Sequence, residues 1–165
     1  MITSQKGAGL MEVLVALLLL SVAVLGFIAL QIRAVAASTE AGQNIQATNI
    51  ARDLAERIRV NRGGLSKYAE IGASDVLPTC STGECDADQM AKYDYAQVKQ
   101  RATDLGMSLS ILNCKGFSSQ RTRQCIYVAW GGTTATDGNG SPNCTNGTAY
   151  VPDAKCIIME VYNYD

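Results

Sequence analysis

The chain has 165 residues, with 14 Lys plus Arg against 15 Asp plus Glu, a formal net charge of -1, and no histidine. A balance this close to neutral, with no block of like charge, argues against a nucleic-acid-binding surface. The absence of histidine removes the commonest general base and the commonest transition-metal ligand. We therefore predict no enzymatic activity, no catalytic residues, no metal, no cofactor and no nucleic-acid partner.

The first predicted element is an apolar helix near the N-terminus. Val13 to Ile32 is a run of twenty residues without a charge, and as a helix it spans roughly 30 Å, enough for one bilayer crossing. Glu12 lies at the edge of this run. A charged side chain at the centre of a bilayer costs about 2.5 to 3.5 kcal/mol and usually has an assigned partner. Glu12 is therefore predicted to have a specific role.

The residues around Glu12 form a motif. Residues 6–13, Lys-Gly-Ala-Gly-Leu-Met-Glu-Val, resemble the prepilin-peptidase site of type IV pilins and pseudopilins. The resemblance implies that the peptidase cuts between Gly7 and Ala8 and methylates Ala8 as the new first residue. It also makes Glu12 the fifth mature residue, which in this family pairs with the N-terminal amine of a neighbouring subunit. Such a pair relieves the unpaired charge and specifies register.

Two alternatives to a pilin stay open. The Ala-Val-Ala sequence at 34–36 resembles a signal-peptidase site, which would give a secreted ligand-binding domain released after Ala36. Against this, the apolar run is longer than the roughly 7 to 15 residues of the apolar region within a signal peptide. The second alternative is a type II secretion pseudopilin, which would use the same leader, acid and helix.

Beyond the apolar run, the helix is predicted to continue as an amphipathic segment. Apolar side chains recur three and four apart on one face, the pattern of a helix that packs on its own sheet. No proline interrupts the segment, so one helix is predicted from Leu10 to Val60, and the Asn-Arg-Gly-Gly sequence at 61–64 ends it. The predicted apolar face consists of Ile45, Ala47, Ile50, Ala51, Leu54 and Ile58.

A second helix is predicted after a loop that runs from about residue 63 to 85. Asp86 and Gln89 are spaced as a capping box, and Gly106 suits the left-handed position just past a helix end. Asp88 and Asp94 are interpreted as part of its solvated face. The predicted apolar stripe consists of Ala91, Tyr95, Val98, Ala102 and Leu105.

Three later segments have β-strand composition: Leu109 to Cys114, Gln124 to Trp130, and Lys155 to Tyr162. They are predicted to form an antiparallel sheet. Gly131 to Asp153 is rich in Gly, Thr, Asn and Pro, and it is predicted to be an exposed loop. In the absence of another site, this loop is the first candidate for contact with another subunit.

All six cysteines lie between residues 80 and 156, beyond the apolar run and the amphipathic segment. An even number confined to one region indicates disulfides formed in an oxidising compartment, and no pair has the CxxC spacing typical of zinc sites. Shorter loops close more readily, so the favoured pairs join neighbours along the chain, although other pairings stay possible. The favoured pairs are Cys80 with Cys85, Cys114 with Cys125, and Cys144 with Cys156.

Motifs between residues 80 and 130 indicate which group of pilins the chain resembles. The Cys80-x4-Cys85 pair directly precedes a predicted helix bearing Gln and Tyr, and Cys-x-Tyr-Val-Ala-Trp follows at 125–130. With the leader motif, this combination resembles the PilV family of minor pilins, also called type IV pilus modification proteins. The resemblance implies an α+β fold in which a long N-terminal helix packs on a C-terminal antiparallel sheet. It also implies a subunit of a pilus-tip or initiation complex that primes assembly and supports adhesion or twitching motility.

The resemblance implies a division of the chain as well. Residues 1–7 are the expected leader peptide, 8–33 the transmembrane half of the helix, 34–62 its amphipathic half, and 63–165 a disulfide-bonded globular head. The expected location is the inner membrane with a periplasmic head before assembly, and the extracellular pilus fibre afterwards. The expected partners are other minor pilins, the major pilin, a tip adhesin, the prepilin peptidase and the inner membrane.

Overall fold

A computed structural model describes residues 9–68, 79–80, 83–116 and 123–161. It divides into two compact units, Met1–Gly42 and Gln43–Asp165. The helices are α1 (Leu10–Val60), α2 (Leu65–Tyr68) and α3 (Ala87–Asp104), with a 3-10 turn at Arg62–Gly64. The strands are β1 (Met107–Asn113), β2 (Gln124–Trp130), β3 (Thr134–Asp137), β4 (Asn143–Asn146), β5 (Ala149–Tyr150) and β6 (Cys156–Val161).

Helix α1 is continuous over 51 residues and has the bounds predicted from the sequence. In the first unit its apolar side chains are exposed, and none of its most apolar 18-residue window is buried. By length and composition, α1 is the one described helix that could cross a membrane. The N-terminal unit is therefore an apolar helix whose surface has no covering within the described chain.

In the second unit, α1 buries one face against the head. Ile45 was predicted to belong to that face, but 63% of it is exposed, so this prediction was wrong. Ile45 and Leu54 are nine residues apart, which is two and a half turns at about 3.6 residues per turn, so they lie on opposite sides of the helix. The buried residues of α1 are Ala47, Ile50, Ala51, Leu54 and Ile58.

The described part of the predicted loop after α1 contains the 3-10 turn and α2, with Tyr68 buried. Helix α3 begins as predicted: the Asp86 carboxylate accepts from the Gln89 N–H at 2.7 Å, and the Asp86 N–H donates to the Gln89 side chain at 3.1 Å. Gly106 has φ 70°, as expected past a helix end. Leu105 is the C-cap and 44% exposed, so its assignment to the apolar stripe was wrong.

The main sheet is antiparallel with the order β1-β2-β6, as predicted from the sequence. Strand β2 has the predicted bounds. Strand β1 begins two residues earlier than predicted, at Met107. In β6 the first paired residue is Cys156, whereas the predicted last residue, Tyr162, lies outside the described residues.

Two separate clusters of buried side chains cover the two faces of this sheet. The cluster that we call the inner core joins α1, α2 and α3 to one face of the sheet. The outer core lies on the other face and contains residues of β2, β3 and β4. Strand β2 belongs to both clusters, because successive side chains in a strand point to opposite faces. Ile126, Val128 and Trp130 lie in the inner core, and Cys125, Tyr127 and Ala129 lie in the outer core.

Residues 131–155, which we call the outer lobe, contain the second sheet. Strand β3 pairs with β4 in parallel, and β4 pairs with β5 antiparallel. The prediction of an exposed loop from Gly131 to Asp153 was therefore wrong. Ala135, Cys144 and Val151 are buried. The segment therefore has a small core, which its polar composition does not indicate.

Candidate functional site

The predicted processing residues, Gly7 and Ala8, lie outside the described residues. Glu12 lies in the first turn of α1, is exposed, and donates its backbone N–H to the Gly9 carbonyl at 2.9 Å. A carboxylate in the first turn of a helix is favoured by the helix dipole. The side chain is thus available to a second chain, and its pairing with a neighbour stays a prediction.

A charged junction joins α1 to α3 in the second unit. The Arg57 guanidinium donates through Nε to Asp53 at 2.9 Å and through Nη1 to Asp94 at 2.7 Å. Arg101 donates to the other Asp53 oxygen at 2.8 Å. Burial by itself would lower the pKa of Arg57, but the hydrogen bonds and negative charges of Asp53 and Asp94 raise it above its ordinary value. Arg57 is therefore a fixed positive charge between two helices.

Asp94 extends this junction to α2. It was interpreted from the sequence as part of a solvated face, but only 8% of it is exposed. Its second oxygen accepts from the Tyr68 hydroxyl at 3.0 Å. Burial, with the nearby negative charge of Asp94, raises the pKa of Tyr68 to about 12, so the phenol stays a hydrogen-bond donor at physiological pH. Asp94 thus holds three helices together, because it accepts from α1 and from α2.

A close backbone approach lies at the end of α1. The Asn61 side chain donates to the Ala87 carbonyl at 2.8 Å, which brings the turn after α1 against the start of α3. A Cβ atom at Gly64 would collide with that same Ala87 carbonyl. Glycine at 64 is therefore required by packing, and it allows the junction to form.

The structure joins Cys80 to Cys85, Cys114 to Cys125, and Cys144 to Cys156. These are the pairs that short loops favour. The first lies just before α3, the second links the ends of β1 and β2, and the third ties β4 to the start of β6. Two of the three disulfides therefore lie at the outer core.

Asp137 fastens the outer lobe to the end of β1. One carboxylate oxygen accepts from the Thr145 hydroxyl and the Gly147 N–H, both at 2.8 Å, and the other lies 3.1 Å from the Lys115 ammonium. Burial opposes ionisation, but these hydrogen bonds and the charge of Lys115 lower the pKa of Asp137 below its ordinary value. Both carboxylate oxygens of Asp137 already have partners within the protein, so the role of Asp137 and its partners is structural.

Among the described residues, two cavities border the outer lobe. A cavity of about 320 Å³ lies between the Ser141-Pro142 turn and the Pro152-Asp153 turn. A smaller cavity of about 110 Å³ lies beside the Cys114–Cys125 disulfide and Tyr150. The described residues contain no group of three or more His, Cys, Asp or Glu side chains placed to hold a metal.

Comparison with known proteins gives one family. Residues 29–96 match the family model described as Tt1218-like, type IV pilin Tt1218. No curated protein and no solved structure gives a significant match. The matched stretch contains Asp53, Arg57, Tyr68 and Asp94 of the charged junction, whereas Arg101 lies beyond it. Type IV pilins are structural subunits and not enzymes, and the match, together with the α+β fold, supports a type IV pilin.

Proposed function

We propose that the chain is a minor pilin of the PilV family. In this role it enters a tip or initiation complex that primes pilus assembly and supports adhesion or twitching motility. The observation that carries the proposal is helix α1, whose 51 residues combine an exposed apolar part with a part that packs in the head. The pilin match over residues 29–96 covers α1 from Ala29 onwards. A secreted domain released after Ala36 would lack the exposed apolar part of this helix.

The proposal assigns the N-terminal residues to processing and anchoring. The prepilin peptidase removes residues 1–7 and methylates Ala8, and residues 8–33 then hold the subunit in the inner membrane. The head lies in the periplasm before assembly and on the pilus fibre afterwards. Exposed apolar side chains over most of the first unit support this assignment, because a surface this apolar is stable only in lipid or against other apolar helices.

The proposal gives Glu12 the central part in assembly. It is the single charged residue between Leu10 and Ile32, and its neighbours Leu10 and Met11 are 80% and 73% exposed. Among apolar helices, an unpaired carboxylate is costly, and a positively charged partner relieves that cost. The methylated amine of a neighbouring subunit is the proposed partner. Other minor pilins, the major pilin and a tip adhesin are the proposed neighbours.

The first test is the mass of the N-terminal peptide from protein isolated from native membranes. A methylated chain that starts at Ala8 would support the pilin proposal. A chain that starts at Ala37 would refute it and favour the secreted ligand-binding domain. Recovery in sheared pili separates a pilus subunit from a type II secretion pseudopilin, which would stay with the cells.

The second test is Glu12→Ala, with Glu56→Ala as the matched control. Both variants remove one carboxylate from α1, but Glu56 lies in the second unit and pairs with Arg59 on an exposed surface. Both should insert into membranes, whereas only Glu12→Ala should be missing from sheared pili. Normal incorporation of Glu12→Ala would remove this residue from the assembly mechanism while leaving the processing test unaffected.

A further inference from the structure

Cysteine is distributed unevenly between the two cores. The inner core has 17 buried residues and none of them is cysteine. The outer core has five buried residues, of which Cys125 and Cys144 are two, and Cys114 and Cys156 pack against it. Both disulfides with longer loops therefore belong to the outer core. Among the described residues, the layer between the helices and the sheet contains no disulfide.

The outer lobe is also closed at its base. It leaves the main sheet after Trp130 and returns at Lys155, and the Trp130 N–H donates to the Lys155 carbonyl at 2.9 Å. Strands β2 and β6 pair directly over Gln124 to Ala129. The lobe is thus a long insertion between two paired strands. Opening it breaks no hydrogen bond between β1, β2 and β6.

The noncovalent support of the lobe is small. Its strands have two to four residues, and its buried apolar side chains are Ala135, Cys144 and Val151. Its polar contacts with β1 and the residues after it include the Ala135 N–H to the Ser108 hydroxyl at 3.0 Å and the ion pair of Asp137 with Lys115 at 3.1 Å. A segment with so little buried apolar surface does not offset its conformational entropy unless it is cross-linked. The disulfides are therefore expected to carry a large share of its stability.

We propose that the outer lobe is a separately folding unit whose order depends on the Cys114–Cys125 and Cys144–Cys156 disulfides, whereas the inner core folds without any disulfide. The head then has two states, a complete oxidised form and a reduced form that keeps only its inner layer. If the proposed pilin function holds, the lobe is presented to other subunits only by chains oxidised outside the cytoplasm. The folding claim itself does not depend on that function.

The oxidised form is converted to the reduced form by thiol–disulfide exchange. Dithiothreitol attacks one sulfur, forms a mixed disulfide, and then closes to its cyclic disulfide. Each protein disulfide takes up two electrons and two protons and gives two thiols, while one dithiothreitol is oxidised. Cys144 is fully buried and Cys125 is 6% exposed, so the reagent is applied under conditions that allow local opening of the lobe.

The test is hydrogen exchange with mass spectrometry on the full chain in mild detergent, with and without dithiothreitol. In the lobe, reduction should speed amide exchange over residues 131–155 by roughly 30- to 1,000-fold, corresponding to about 2 to 4 kcal/mol. Exchange in α3 and in β1 and β2 should stay within a few-fold of the oxidised protein. Equal loss of protection in the lobe and the sheet would overturn the proposal, and so would a lobe that stays protected.

A pair of variants tests the same claim without a reductant. Cys144→Ala with Cys156→Ala should free the lobe and leave the inner core folded, as read from the fluorescence of buried Trp130. Cys80→Ala with Cys85→Ala is the matched control, because it also removes one disulfide but its two cysteines belong to neither core. It should leave protection in the lobe unchanged. If the first variant loses its inner core as well, the two layers are not independent and the proposal fails.

Discussion

Replacing Asp94 by alanine should destabilise the head far more than its assignment to a solvated helix face suggests. The carboxylate accepts from the Arg57 guanidinium at 2.7 Å and from the Tyr68 hydroxyl at 3.0 Å. Its side chain is 12% exposed and that of Arg57 is 27% exposed. The substitution leaves the buried Tyr68 hydroxyl without this acceptor and removes one of the two carboxylates that bind Arg57.

The magnitude follows from these two losses. A buried donor that loses its acceptor costs about 1 to 3 kcal/mol. Arg57 keeps Asp53 and some contact with water, so its loss is smaller than the roughly 3 to 5 kcal/mol of a fully buried pair. Together, Asp94→Ala should lower the free energy of unfolding by about 2 to 4 kcal/mol. The urea midpoint should fall by about 1 to 2 M.

The assay is urea unfolding of the full chain in mild detergent, followed by fluorescence. Trp130 is the single tryptophan and is 3% exposed, so its emission reports on the inner core. Glu56→Ala is the control, because its ion pair with Arg59 is shorter, 2.6 Å, but both side chains are more than half exposed. That pair should be worth less than about 1 kcal/mol. If the two variants lose equal stability, burial is not what gives the junction its strength.

Three other results are expected. Gly64→Ala, whose Cβ would collide with the Ala87 carbonyl, should cost about 1 to 3 kcal/mol in the same titration. A Cβ at Gly132 would have no neighbour within 4 Å, so Gly132→Ala should be nearly neutral. Equal losses of stability in the two variants would contradict the close approach at Gly64. The lowered pKa of Asp137 means that its contribution to stability is present above the unfolded pKa of about 3.9 and is lost as the pH falls. Protection of the lobe amides, taken relative to the intrinsic exchange rate at each pH, should therefore fall below about pH 4, and Asp137→Asn should flatten that dependence. A non-reducing peptide map should return the three disulfides of the structure, and a link between different pairs would refute them.

The features that the sequence predicted correctly depend on local patterns. Helix α1 is an uninterrupted run of apolar and then amphipathic residues, and no proline breaks it. The capping box of α3 needs only Asp86 and Gln89, three residues apart. Strand β2 is rich in Ile, Tyr, Val and Trp, which favour strands. In each case the determining residues are neighbours along the chain.

The junction was missed because its partners are distant in sequence. Asp94 is 37 residues from Arg57 and 26 from Tyr68, so no local pattern joins them. One local signal was present. Asp94 falls between Ala91 and Val98, three residues after one and four before the other, which places it on the apolar stripe of α3. A charged residue on a buried stripe predicts a charged or hydrogen-bonding partner.

The outer lobe was mistaken for a loop because its order comes from few residues. Its composition of Gly, Thr, Asn and Pro is that of turns, and its strands are too short to show alternation. Strands β3 and β4 pair in parallel, so the chain between them must first bring the two segments side by side. Burial of Ala135 and Cys144 becomes evident only once the outer face of the main sheet is in place.

The double membership of β2 makes one short strand a reporter on both layers. Substitutions at Ile126 and Val128 should disturb packing against the helices, whereas substitutions at Tyr127 and Ala129 should disturb packing against the lobe. A scan along seven consecutive residues should therefore alternate between two phenotypes, global unfolding at one residue and local release at the next. Adjacent side chains of a strand ordinarily point one to the protein's interior and one to solvent, whereas in β2 they point to two interiors of different chemistry.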